Sequence, residues 1–89
     1  MTYKVKYLES VLKTLQKMDK FTSRMIVQWI RKNLENTDNP RVHGKPLSAN
    51  RKGQWRYRVG DYRIIVEIKD NELIILVINI GHRRDIYIR

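Results

Sequence analysis

No cysteine occurs among the 89 residues, which excludes a disulfide scaffold, a thiolate metal site and a cysteine nucleophile. Histidine is almost as scarce: His43 and His82 stand far apart, too few for a structural zinc centre. Long apolar runs are missing too. The longest, Leu73 to Ile78, falls far short of the ~20 residues a membrane-spanning helix needs, and the N-terminus (MTYKVKYLES) lacks the apolar core of a signal peptide. With four glycines in the chain, none of them clustered, there is no Gly-rich phosphate loop. Acidic residues are in deficit: nine Asp and Glu face nineteen Lys and Arg, for a net charge of +10. A charge excess of that size repels itself, so a polyanionic partner is the natural reason to carry it, the alternative being a generally basic, soluble surface. The expectation is one small domain over residues 1–89, cytoplasmic, with no membrane segment, metal or cofactor.

What is present is clear periodicity. Thr2 to Tyr7 alternates, with Tyr3, Val5 and Tyr7 on one face and Lys4 and Lys6 on the other, which predicts a half-buried strand. Leu8, Val11, Leu12, Leu15 and Met18 then recur at helical spacing, predicting an amphipathic helix over about residues 8–18. A second apolar stripe (Phe21, Met25, Ile26, Trp29, Ile30, Leu34) predicts another helix, capped by Asp19 or Thr22 and ended by the turn-forming Asn36 to Pro40. Residues 41–53 are polar, basic and aperiodic, hence a loop. From Gln54 the period becomes two. Gly60-Asp61 suits a two-residue type II′ hairpin turn, and Asp70-Asn71 reads as a second tight turn before an apolar strand expected at the sheet centre. The predicted layout is β-α-α-β-β-β, an α+β domain with a small, mostly antiparallel sheet on a helical hairpin.

Closing the first hairpin around Gly60-Asp61 pairs Val59 with Tyr62, Arg58 with Arg63 and Tyr57 with Ile64. Arg56, Arg58 and Arg63 then share one face. Like charges directly opposite in a sheet cost roughly 0.2–1 kcal/mol, which an anion lying between them would offset. The guanidinium fork binds phosphate oxygens bidentately and keeps its charge; the competing explanation is that long arginine stems splay apart and solvate the face. A two-residue second turn would set Arg63 against Ile78, so that the tail from Gly81 brings His82, Arg83 and Tyr87 toward the arginines. There His82 competes with a plain surface role and Tyr87 with capping the apolar core, while Arg84 and Asp85 read as solvation. Glu67 is the one carboxylate expected on the face, whereas a magnesium-dependent nuclease needs several together. RNA removes that need, because its own 2′-hydroxyl can attack the phosphorus. The protein must then orient it, stabilise the phosphorane and protonate the leaving 5′-oxygen.

Three blocks carry a resemblance: Gly44-Lys45-Pro46-Leu47, Val59-Gly60-Asp61-Tyr62-Arg63-Ile64-Ile65, and Ile80-Gly81-His82-Arg83-Arg84-Asp85-Ile86-Tyr87. The C-terminal half resembles the RelE family of bacterial toxin–antitoxin ribonucleases; the N-terminal half matches it in layout only. The resemblance implies a RelE-like fold and ribosome-dependent cleavage of messenger RNA in the A site. It also implies that Arg63 and Arg83 grip the scissile phosphate, that Tyr87 or His82 transfers protons, and that Arg56 and Arg58 position the RNA. Lys45, Arg51 and Lys52 would contact ribosomal RNA. His82 stands where some relatives have lysine. ParE-like toxins share this fold and poison DNA gyrase without cutting RNA, so that function, or an inert basic RNA-binding module, is the alternative. The implied partner is an acidic RelB-like antitoxin, partly disordered when free, forming a hetero-oligomer by covering the helical hairpin or a free sheet edge. Since the sequence ends two residues after Tyr87, that inhibitor is expected to block the arginine face or enlarge the toxin rather than displace a C-terminal helix.

Overall fold

The computed structural model describes residues 1–47 and 53–82. Strand β1 (Lys4–Tyr7) leads into helices α1 (Glu9–Lys17) and α2 (Lys20–Asn33), followed by strands β2 (Lys45–Pro46), β3 (Gln54–Val59), β4 (Tyr62–Lys69) and β5 (Ile74–His82). Asp19 caps α2, its carboxylate accepting from the Thr22 backbone N–H at 2.9 Å, while Asn36 turns the chain beyond α2 with φ of 64°. The five strands form one sheet in the order β1-β5-β4-β3-β2, with β1 parallel to β5 and the other pairs antiparallel.

Both helices pack on one face of the sheet. Val11 and Leu15 of α1 and Ile26 and Ile30 of α2, with Leu34 just beyond it, bury against Tyr57, Val59, Ile64, Val66, Ile68, Ile75, Val77 and Ile80. These sheet residues alternate along their strands, so the intervening ones, Arg56, Arg58, Arg63 and Glu67 among them, belong to the opposite face. Ile65 is buried as well but lies outside that core cluster, in keeping with its place on the arginine side.

The β3–β4 hairpin has the expected register: Val59 pairs with Tyr62, Arg58 with Arg63 and Tyr57 with Ile64. Gly60, at φ of 59°, supplies the positive first dihedral that a type II′ turn requires.

Three expectations are corrected. The segment after Pro40 is not all loop, because Lys45 and Pro46 pair with Arg56 and Trp55 as β2. The middle strand is β4, not β5, since β1 joins in parallel outside β5; β4 is accordingly the strand buried at most positions on both faces.

The last correction concerns register: Arg63 faces Gly81, not Ile78. Two features move it. The β4–β5 turn holds Asp70 to Leu73 between the paired Lys69 and Ile74, with Leu73 in the left-handed region at φ of 56°. In addition, Ile65 pairs with Asn79 and Val66 with Val77, leaving Ile78 as the extra residue of a bulge.

At the outer edge of β1 the groups that could template another strand are already used. The Tyr3 N–H donates to the Thr37 carbonyl at 2.8 Å, the Asn36 N–H donates to the Tyr3 carbonyl at 2.9 Å, and the Val5 N–H donates to Glu35 Oε1 at 3.0 Å. Among the described residues, no helix is long and apolar enough to cross a membrane.

Candidate nucleic-acid interface

The strand registers assemble a basic surface row by row. Lys45 of β2 lies beside Arg56 of β3, and Arg58 lies directly across from Arg63 of β4, with Gly81 of β5 next in that row. Gly81 presents no side chain there, which leaves the row open on that side. Four cationic side chains therefore line one cleft of about 340 Å³, with Trp29, His43, Gly44 and Tyr57 completing its wall. Arg63 is only 8% exposed, so its guanidinium is held among neighbours rather than waving in solvent. Burying a charge in a surface already rich in like charge costs stability, and an anionic ligand offsets that cost. Because β2 pairs with β3 only at Trp55 and Arg56, the cleft can reach around the edge of β3 to residues of the helix-covered face, namely Tyr57 and Trp29.

The limb carrying His43, Gly44 and Lys45 is pinned from behind. The Tyr57 hydroxyl donates to the Pro40 carbonyl at 2.7 Å, and Trp55 Nε1 donates to the His43 carbonyl at 2.6 Å. Burial holds the Tyr57 phenol well above its usual pKa, so it stays neutral and serves as a donor. Arg41 makes a bidentate pair with Asp70 at 3.1 and 2.9 Å, and Tyr3 donates to the same carboxylate at 2.5 Å. Those bonds, from Arg41 first and then Tyr3, hold the Asp70 carboxyl below the usual carboxylate range. The Arg41 guanidinium also lies 5.9 Å from the Trp55 ring centroid. Through this small network the N-terminus, the β4–β5 turn and the loop before β2 brace one another.

Of the residues expected at the site, Lys45, Arg56, Arg58 and Arg63 come together in the cleft. His82 does not join their row. It pairs with Tyr62, whose ring it meets edge to face at 5.6 Å, and Tyr62 packs against the core beneath the helices. The bulge and the longer turn, invisible as such in a period-two pattern, set its side. Arg51, Lys52, Arg83 and Tyr87 lie outside the described residues. His43 and Trp29 are cleft residues that the sequence pattern did not mark. Trp29 reads simply as part of a helical stripe, and His43 sits in an aperiodic segment; its place immediately before Gly44-Lys45-Pro46-Leu47 is the one available signal.

Comparison with known proteins agrees with this architecture. Residues 5–87 match the family model described as ParE toxin of type II toxin-antitoxin system, parDE. A RelE-like toxin protein from Escherichia coli is 31% identical over 90 residues, covering 98% of this chain and 92% of that protein. Toxin RelG from Mycobacterium tuberculosis is 28% identical over 89 residues, spanning 100% of both chains. Among solved structures, the toxin–antitoxin complex RelBE2 from Mycobacterium tuberculosis superposes with a TM-score of 0.80 at 24% identity, covering 93% of each chain. The archaeal RelE–RelB complex from Pyrococcus horikoshii OT3 superposes with a TM-score of 0.71 at 30% identity, over 93% of this chain and 97% of that one.

Proposed function

The chain belongs to the RelE/ParE superfamily of type II toxin–antitoxin toxins, and from that premise we propose that it is a metal-independent endoribonuclease acting on messenger RNA in the ribosomal A site. The observation that carries the proposal is the facing pair Arg58 and Arg63, with Lys45 and Arg56 in the adjoining row of one open cleft. Such an arrangement stabilises a dianionic phosphorane better than it stabilises the sheet. In the proposed step the 2′-oxygen attacks the adjacent phosphorus and gives up its proton. The bond from phosphorus to the 5′-oxygen breaks, and that oxygen takes a proton, leaving a cyclic phosphate and a free 5′-hydroxyl. Arg63, with Arg83 from the tail, holds the non-bridging oxygens, while Arg56, Arg58 and Lys45 position the flanking chain and Arg51 and Lys52 add non-specific contact to ribosomal RNA. Tyr87 is assigned the proton transfer. Glu67 is the carboxylate among the described residues of this face, and its neighbour within 3.4 Å is Lys69 rather than a second acid, which supports a route using the RNA's own nucleophile.

Related toxins are solved in complex with RelB-type antitoxins, and a comparable acidic partner is proposed here. A groove between β1 and the two helices, lined by Val5, Tyr7, Leu12, Leu15 and Ile30, and the exposed Leu8 and Leu12 offer it apolar anchors, while the +10 charge speeds the encounter.

The test is expression in a translation extract with messenger breaks mapped by primer extension. Defined cuts in translated message, blocked by 2′-O-methylation at the cut position and insensitive to EDTA, are the expected result. The match to a ParE family model favours one other reading, inhibition of DNA gyrase through the same arginines. Intact message accompanied by gyrase-linked DNA breaks would establish that reading instead.

A further inference from the structure

We propose that His43, backed by Trp29, is a stacking platform for one nucleobase of the RNA whose phosphates the arginines hold; this rests on the cleft being the RNA site. The Trp29 and His43 rings meet edge to face, with centroids 5.7 Å apart and planes at 69°. In that arrangement a ring offers its partner either an edge or a single face, so at least one face of the exposed His43 imidazole is left for a ligand. The platform is rigid. Trp29 is half-buried and rests on the buried Tyr57 ring at 5.5 Å, while the His43 backbone is fixed by Trp55. It also stands in the right place, since His43 and Trp29 line the cleft that contains Lys45, Arg56, Arg58 and the nearly buried Arg63.

Aromatic faces alternating with cationic groups along a groove are how single-stranded RNA is held, the cations taking the backbone and the rings taking bases regardless of their identity. Among the described residues His43 is the cleft's one imidazole, because the register puts His82 on the far side of the sheet. What is asked of His43 is therefore a flat surface, not a proton.

The test separates these roles by equilibrium binding, measured by fluorescence anisotropy at fixed salt. The probe is a labelled 2′-O-methylated hexanucleotide, which cannot be cut, with an abasic residue moved through each position in turn. His43→Ala should weaken binding of the intact probe about ten-fold, and His43→Phe should restore it to within roughly two-fold. At one position, removing the base should cost the wild type about ten-fold and cost His43→Ala nothing further. Losses that multiply at every position, or a His43→Phe variant as weak as His43→Ala, would overturn the platform. Wild-type protein that shows the coupling but leaves translated message intact would overturn the ribonuclease proposal alone, whereas cutting without coupling would overturn the platform alone.

Discussion

A β-carbon placed on Gly44 would lie 2.1 Å from the backbone carbonyl oxygen of Arg56. The same carbon would meet Trp55 Nε1 and Tyr57 Cδ1 at 2.8 Å, and the residue has φ of 78°. Glycine is thus required twice over, for its dihedral and for the close approach that sets Lys45 beside Arg56. Gly44→Ala should destabilise the fold by about 3 kcal/mol or more and lower Tm by more than about 10 °C in thermal unfolding. A fall of only about 2 °C would show that the loop is not held as described.

Arg63→Ala and Arg83→Ala should each abolish growth arrest and slow message cleavage at least about a hundred-fold, the scale on which losing one preformed electrostatic contact to a transition state is felt. Arg63→Ala should still fold, because removing one of two facing arginines relieves repulsion with Arg58. Circular dichroism and melting curves check the fold, and primer extension checks the activity. Full toxicity in both variants would sink the assignment.

Salt should weaken RNA binding in proportion to the phosphates engaged. For single-stranded RNA the slope of log K against log salt is about −0.7 per phosphate, so engagement of Lys45, Arg56, Arg58 and Arg63 predicts about −3. Lys45→Ala should make that slope shallower by about 0.7 while leaving base preference unchanged. Anisotropy titrations across a salt series give both values, and an unaltered slope would place Lys45 outside the RNA path.

The Arg41–Asp70 pair sets an acid limb to stability. The folded-state pKa of Asp70 is depressed, by Arg41 first and then by Tyr3, so its contribution is present above the unfolded value near pH 3.9 and is lost as pH falls through the folded value. Asp70→Asn should therefore unfold more readily than the wild type at pH 7, and the gap should close below about pH 4. Because the pair is solvent-accessible, the gap should be modest and shrink in high salt. Urea unfolding at pH 7 and pH 3 measures it; a constant gap would mean that Asp70 acts through packing instead of charge.

The sequence went furthest where the physics is local. Alternation marked β1 and β3, the 3.6-residue stripe marked both helices, and Asp19 announced its own cap. Gly60-Asp61 set the β3–β4 register to the residue, because a two-residue turn with glycine at its first position leaves one way to pair the flanking strands. From that register alone came the alignment of Arg58 with Arg63, the feature on which the proposed chemistry rests.

What only the tertiary structure decided depends on contacts distant in the chain. The β4–β5 pairing turns on Leu73 accepting a left-handed conformation and on a bulge at Ile78, neither of which a run of apolar residues announces. Together they moved the partner of Arg63 from Ile78 to Gly81 and placed His82 with Tyr62 under the helices. The parallel docking of β1 made β4 the central strand, since parallel neighbours carry no turn signal between them. His43 became part of the cleft for the same kind of reason: its segment has no period of its own, and its position comes from Tyr57, Trp55 and the Arg41–Asp70 pair, side chains that reach it from across the fold.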